Sequence, residues 1–161
     1  MHPVYMVMGV SGCGKSTIGA GLAEAIGAVF LDGDDYHPPA NVAHMAAGKP
    51  LDDTMRWPWL DAVADAVNTA RQTTPVVFAC SALRRSYRDH LRSRIDGLKV
   101  CYLDAPREVV AARLAARQNH FMPPALLDSQ YATLEVPQSP AISVSIDQPV
   151  AGIIAALQRI V

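Results

Sequence analysis

Short, uninterrupted apolar runs alternate along the chain with stretches whose apolar residues recur every three or four positions. The first run, Val4-Tyr5-Met6-Val7-Met8, leads straight into Gly9. The others are Val29–Leu31, Val76–Ala79, Val100–Leu103 and Ile142–Ile146. Runs without polar alternation predict strands covered on both faces, as in a parallel sheet. Helical spacing predicts helices over Ser16–Ile26, with Gly27 as its stop, and over Trp59–Arg71, where Leu60, Val63, Ala64 and Val67 share a face. It predicts three more over Arg84–Arg94, Pro106–Arg117 and Val150–Val161, with Pro106 suited to a helix start. Strand and helix alternate throughout. That is the signature of an α/β fold, here a five-stranded parallel sheet with helices on both faces. Pro38-Pro39, Pro123-Pro124 and the Pro137-to-Pro140 stretch mark loops, not domain linkers.

The chain's 161 residues suit one domain. Half are hydrophobic and 18% are charged, which excludes a disordered chain. A net charge of −1 excludes bulk attraction to nucleic acid or to an anionic membrane. That balance hides a split. Residues 18–70 carry eight acids against two bases, and residues 84–117 carry nine bases against four acids. Two such stretches can face each other across a site, or be two unrelated solvated faces. The three cysteines, Cys13, Cys80 and Cys101, are an odd number with no Cys-x-x-Cys pair, and the histidines do not cluster. Neither a full disulfide set nor a structural zinc site is expected. No apolar run approaches the ~18–20 residues of a membrane span, and no basic leader precedes the first strand. The expectation is a cytoplasmic protein.

Gly9-Val10-Ser11-Gly12-Cys13-Gly14-Lys15-Ser16 matches G-x-x-x-x-G-K-[ST] between a strand and a helix. Glycines allow the tight turn that aims successive backbone N–H groups at phosphate oxygens, and the helix that follows adds its positive dipole end. Residues 9–17, Thr17 included, are therefore the expected ATP-binding loop. In it Lys15 bridges the β- and γ-phosphates, and Ser16 ligates Mg²⁺. Cys13 reads as a small loop residue offering its N–H rather than as a redox thiol.

Leu31-Asp32-Gly33-Asp34-Asp35 places carboxylates at the carboxyl end of the second strand, where open parallel sheets bind ligands. Asp32 and Asp34 lie two apart, so in extended backbone both project to one side. One can hold water on Mg²⁺ while the other takes a proton from a substrate hydroxyl. Asp34 is the preferred base and Asp32 the outer-shell Mg²⁺ partner, although the roles can be exchanged.

With these residues in place, the chain resembles the gluconate kinases, small P-loop kinases akin to shikimate kinase and adenylylsulfate kinase. The resemblance runs from Gly9 to Pro149. It rests on Gly9–Ser16, Leu31-Asp32-Gly33-Asp34 with His37-Pro38, and Asn41, Met45, Gly48, Pro50 and Leu51. It continues through Arg56, Trp59-Leu60, Cys80-Ser81-Ala82-Leu83 and Tyr87-Arg88-Asp89. Arg113, Arg117, His120-Phe121, Ser129-Gln130, Leu134-Glu135 and Asp147-Gln148-Pro149 complete it. The resemblance implies a nucleoside-monophosphate-kinase-like three-layer fold with a mobile lid, placed near residues 117–137. It also implies a homodimer, and transfer of phosphate from ATP to the 6-hydroxyl of D-gluconate. The family normally carries an acid where this chain has Met55, and often lysine at His44 and Arg84.

A sugar acid needs a cation for its carboxylate and hydrogen-bonding groups along its length. Arg56, Arg84, Arg85 and Arg88 are the available cations, Arg56 and Arg88 the candidates for substrate contact, with Arg92 read as solvated. His37 either contacts a sugar hydroxyl or caps a helix beginning near Pro39. Arg113 and Arg117 stand four apart on a helix entering a proline-bounded loop. Arg117 is expected to stabilise the transferring phosphoryl group, Arg113 to stack on adenine, and His120 to meet substrate as the lid closes. The loop at Gln148 and Pro149 is expected to pass the adenine. Trp57 and Trp59 read as packing residues first. The alternatives are a kinase for another small hydroxylated anion, such as shikimate, and a nucleotide-binding regulator without an acceptor.

Overall fold

The computed structural model describes residues 1–116 and 124–161. The order of elements is β1 (Val4–Met8), α1 (Lys15–Ile26), β2 (Val29–Asp32), a 3₁₀ turn (Gly33–Tyr36), α2 (Pro39–Ala46) and α3 (Asp53–Ala70). Then come β3 (Val76–Ala79), α4 (Arg85–Arg94), β4 (Lys99–Asp104), α5 (Arg107–Ala116), α6 (Pro124–Thr133), β5 (Ile142–Ser145) and α7 (Val150–Ile160). The five strands are ordered β2-β3-β1-β4-β5 and every pairing is parallel. This is the sheet expected from the apolar runs. β1 and β3 are buried along their whole length, and the edge strand β5 buries only Val144 fully. Continuous apolar runs are what central parallel strands need, because helices cover both faces.

Two cores result. Leu22, Val77, Leu103 and Ile153 belong to one, on the α1/α7 side. Met6, Leu60, Phe78, Tyr87 and Leu91 belong to the other, under α3 and α4. The carboxyl ends of β1, β2 and β3 open at the seam between these layers, and the chemistry-bearing loops gather there.

Two helices depart from expectation. α3 begins at Asp53, six residues before Trp59. Asp52 caps it by accepting the Met55 N–H at 2.9 Å, and Asp53 sits in the first turn where the helix dipole favours an acid. Pro58 lies inside the helix and leaves one turn without its usual backbone donor. α6 occupies residues assigned to a loop and lid. It is held to the body by Tyr131, which donates to the Ala105 carbonyl at 2.6 Å, and by Arg107 Nε on Asp128 at 2.7 Å.

Candidate active site

Gly14 sits at the N-terminus of α1 with φ 96, a conformation open to glycine. It lets the loop end in a helix whose first N–H groups face outward. Ser11, Gly12, Gly14, Lys15, Ser16 and Thr17 line a cleft of about 200 Å³ together with Asp32, Asp34 and Ala79. Val10 and Cys13 turn inward and are buried. The Lys15 ammonium donates to the Val10 carbonyl at 3.0 Å, which folds it over the loop it serves.

Burial, not the loop's N–H groups, sets the thiols. It pushes Cys13 above its ordinary range, and Cys80 and Cys101 up to about 12. All three are free and buried; Cys13 packs inward, and its backbone N–H, expected to face phosphate, donates to the Val10 carbonyl at 3.3 Å.

Asp32 uses both carboxylate oxygens. Oδ2 accepts from the Ser16 hydroxyl at 2.8 Å, and Oδ1 accepts from the Asp34 N–H at 3.0 Å. The second bond caps the 3₁₀ turn and directs Asp34 outward, where its side chain is 81% exposed. Gly33 makes this possible. A side chain there would collide with the Ala79 carbonyl, so only glycine lets β2 end so close to β3. The Gly33 carbonyl is fixed in turn by the buried Trp59 indole N–H at 2.8 Å. Trp59 is thus the packing residue expected. It also forms the floor of the next residue out.

That residue is His37, stacked on Trp59 at 4.2 Å and 15°. Buried Asn41 donates from Nδ2 to its Nδ1 at 3.4 Å and to the Met55 carbonyl at 2.9 Å. The imidazole's Nε2 then carries the proton and points toward Asp34 Oδ1, 3.9 Å away. Burial lowers the His37 pKa below 6.5; Asp34 opposes this and Arg56 adds to it. Asp34, which lines the cleft, and Arg56 therefore both act on His37. His37 ends the 3₁₀ turn, whereas Pro38 occupies the N-terminal cap of α2.

Arg113 reaches the other flank, donating from Nη2 to the Ile146 carbonyl at 3.1 Å. It thereby anchors the loop that carries the exposed Gln148 and Pro149, with Gln148 donating back to the Ser145 carbonyl at 2.8 Å.

Arg88 is a correction. It is 3% exposed, and its guanidinium is spent on three backbone carbonyls. Nη1 donates to Ala82 at 2.8 Å and Leu83 at 3.0 Å, and Nη2 to Glu135 at 2.8 Å. Ala82 holds φ 41, which alanine adopts at a cost, so Arg88 pins a strained turn beyond β3 rather than offering a fork to a ligand. Arg92 is exposed against Asp89 at 3.4 Å, as expected of a solvated residue. Arg117 and His120 lie outside the described residues.

Two groupings of residues were missed by sequence reasoning. Gln130 on α6 clasps Ser11, accepting its backbone N–H at 2.6 Å and donating to its hydroxyl at 2.8 Å. Tyr87 and Asp53 stand around Arg56, whose Nη1 donates to the Tyr87 oxygen at 2.6 Å. Only a pairing across the fold reveals either.

Comparison with known proteins decides between the kinase classes this cleft allows. Over 164 aligned residues the chain is 40% identical to the thermoresistant gluconokinase of Escherichia coli (strain K12), covering 99% of this chain and 94% of the relative. The chain belongs to the gluconokinase family. Gluconokinase from Gluconobacter oxydans (strain 621H) is 46% identical, over 87% of this chain and 80% of the relative. A gluconokinase crystal structure from Sinorhizobium meliloti 1021 superposes with a TM-score of 0.88 at 44% identity, covering 98% of this chain and 93% of that one. Residues 4–137 also match the family described as AAA domain. In this gluconokinase the P-loop residues and the Asp32–Asp34 turn line one cleft. Among the described residues, no helix is long and apolar enough to cross a membrane.

Proposed function

We propose that the chain transfers the γ-phosphate of ATP to the 6-hydroxyl of D-gluconate, giving 6-phosphogluconate and ADP. The observation that carries this reading is the near-full-length identity to gluconokinases, joined to an exposed carboxylate, Asp34, at the edge of the phosphate loop. The loop's N–H groups and Lys15 cradle the phosphates. Asp34 orients the acceptor hydroxyl and takes its proton as the oxygen bonds to phosphorus and the bond to the ADP oxygen breaks. A primary hydroxyl is too weak an acid to ionise beforehand, so positioning matters more than base strength.

The residues present fit Mg²⁺. Ser16 and Asp32 would hold it, Asp32 through water, and the ion would neutralise charge on the β- and γ-phosphate oxygens. Arg56 and His37 take the carboxylate and hydroxyls of the acceptor. Arg113 and the Gln148-Pro149 loop flank the adenine. Arg117 meets the transferring phosphoryl group and His120 the acceptor, within a lid that keeps water out. A cytoplasmic homodimer completes the proposal, tested by light scattering of the purified chain.

ADP release from Mg-ATP against a panel of sugar acids tests the reaction. Stimulation by gluconate is expected. Stimulation by shikimate alone, or by no acceptor, would overturn the assignment.

A further inference from the structure

Arg56 is held in an unusual way for a partly buried cation. Its nearest acid is Asp53, one turn earlier on α3, yet the shortest Nη1–Oδ1 distance is 4.0 Å. The Tyr87 hydroxyl from α4 stands between them. It accepts from Arg56 Nη1 at 2.6 Å and donates to Asp53 Oδ1 at 2.6 Å. The Arg56 guanidinium carbon also lies 5.0 Å from the centre of the Tyr87 ring, within range of a cation–π contact. The Tyr87 ring is itself buried, with the Trp57 ring packed edge-on at 5.7 Å.

The chemistry of this arrangement differs from an ordinary ion pair. A carboxylate in direct contact with arginine takes two parallel N–H groups and consumes the planar fork. A tyrosine placed between acid and arginine takes one N–H, relays the orientation, and leaves the rest of the fork free. Among the described residues Arg56 makes no other side-chain hydrogen bond, and its side chain stays 22% exposed. Its charge helps to lower the His37 pKa, so Arg56 stands near enough to His37 to act on the same neighbourhood.

We infer that Tyr87 is a positioning residue for acceptor recognition. It keeps Asp53 from capturing Arg56, so that Arg56 can fork the carboxylate of the sugar acid. This rests on the assignment of Arg56 to the acceptor carboxylate made above.

The test measures KM for gluconate and for ATP, with kcat, in Tyr87→Phe, Asp53→Asn, their combination, and Arg56→Met. Removing the hydroxyl lets Asp53 pair directly with Arg56. In Tyr87→Phe the gluconate KM should rise about tenfold, equivalent to one misdirected charge-assisted hydrogen bond, while the ATP KM stays put. Adding Asp53→Asn removes the competing acid and should recover most of the lost affinity. A purely structural tyrosine would give no such rescue, since the second change mends no packing. If Arg56→Met raises the gluconate KM but Tyr87→Phe does not, the tyrosine's role is overturned alone. A raised KM in Tyr87→Phe that Asp53→Asn fails to lower overturns it as well. If Arg56→Met leaves the gluconate KM unchanged, the carboxylate assignment falls and the inference with it.

Discussion

Arg88→Met separates a structural arginine from a ligand-binding one. Methionine keeps much of the stem that threads the core and removes the guanidinium. Three carbonyls lose their donor: Ala82, Leu83 and Glu135, at 2.8, 3.0 and 2.8 Å. The buried Ala82 and Leu83 carbonyls each cost on the order of 1 kcal/mol when orphaned, and the half-buried Glu135 carbonyl less, once the cation's own desolvation is credited. Burial already lowers the Arg88 pKa, the mark of that desolvation. Ala82 at φ 41 also loses the bond that holds it in the left-handed region. The expected loss is about 3 kcal/mol, or roughly 6–12 °C in Tm for a domain of this size. Thermal melts followed by circular dichroism read the first quantity, and steady-state kinetics well below the melt read the second. The gluconate KM should be unchanged in the folded fraction. An unchanged Tm with a raised gluconate KM would refute the reasoning and return Arg88 to the acceptor site.

Asp34→Asn should lower kcat by about a hundredfold or more, the scale of a lost general base, with the ATP KM unaltered. A change confined to the gluconate KM would make Asp34 a binding group. Gln130→Leu removes the clasp on Ser11, two neutral hydrogen bonds, and should lower kcat/KM for ATP about fivefold to tenfold; an unaltered value would show that the clasp is idle. His37 has a pKa lowered from 6.5 in the folded chain, so below that pH the unfolded chain binds the proton first. Stability therefore falls with pH from 6.5 down through the folded pKa, and urea titrations of His37→Asn should show a shallower fall there. An identical pH slope would contradict the buried neutral imidazole.

What could be read from sequence follows the range of the interactions. β1 and β3 were legible because a central parallel strand is apolar on both faces, a property of four or five adjacent residues. The P-loop and the Asp32–Gly33–Asp34 turn were legible for the same reason: their chemistry is set within a few positions. The start of α3 was not, because its first turns are set by the Asp52 cap and interrupted by Pro58, outside the apolar spacing that begins at Trp59. α6 was missed since Pro123-Pro124 signals a loop, and among its residues 125–133 only Leu127 is buried. Arg88 resembles its neighbours Arg84 and Arg92 by spacing. Its burial depends on the Glu135 carbonyl, 47 residues away. The same holds for Gln130 and Ser11, separated by 119 residues. The charge split sharpened in a similar way. Asp32 and Asp34 of the acidic stretch line the cleft, while Arg56 from that same stretch bonds Tyr87. Asp61 and Asp65 instead pair with Arg94 on the α3–α4 surface, at 3.0 and 2.6 Å.

The reaction itself is tested most directly by following Mg-ATP and ¹³C-labelled D-gluconate with the purified chain by ³¹P and ¹³C NMR. The account predicts one product, with the phosphate ester on C6 of gluconate and ADP formed in equal amount. ADP with inorganic phosphate and unchanged gluconate, or an ester on any other hydroxyl, would contradict it.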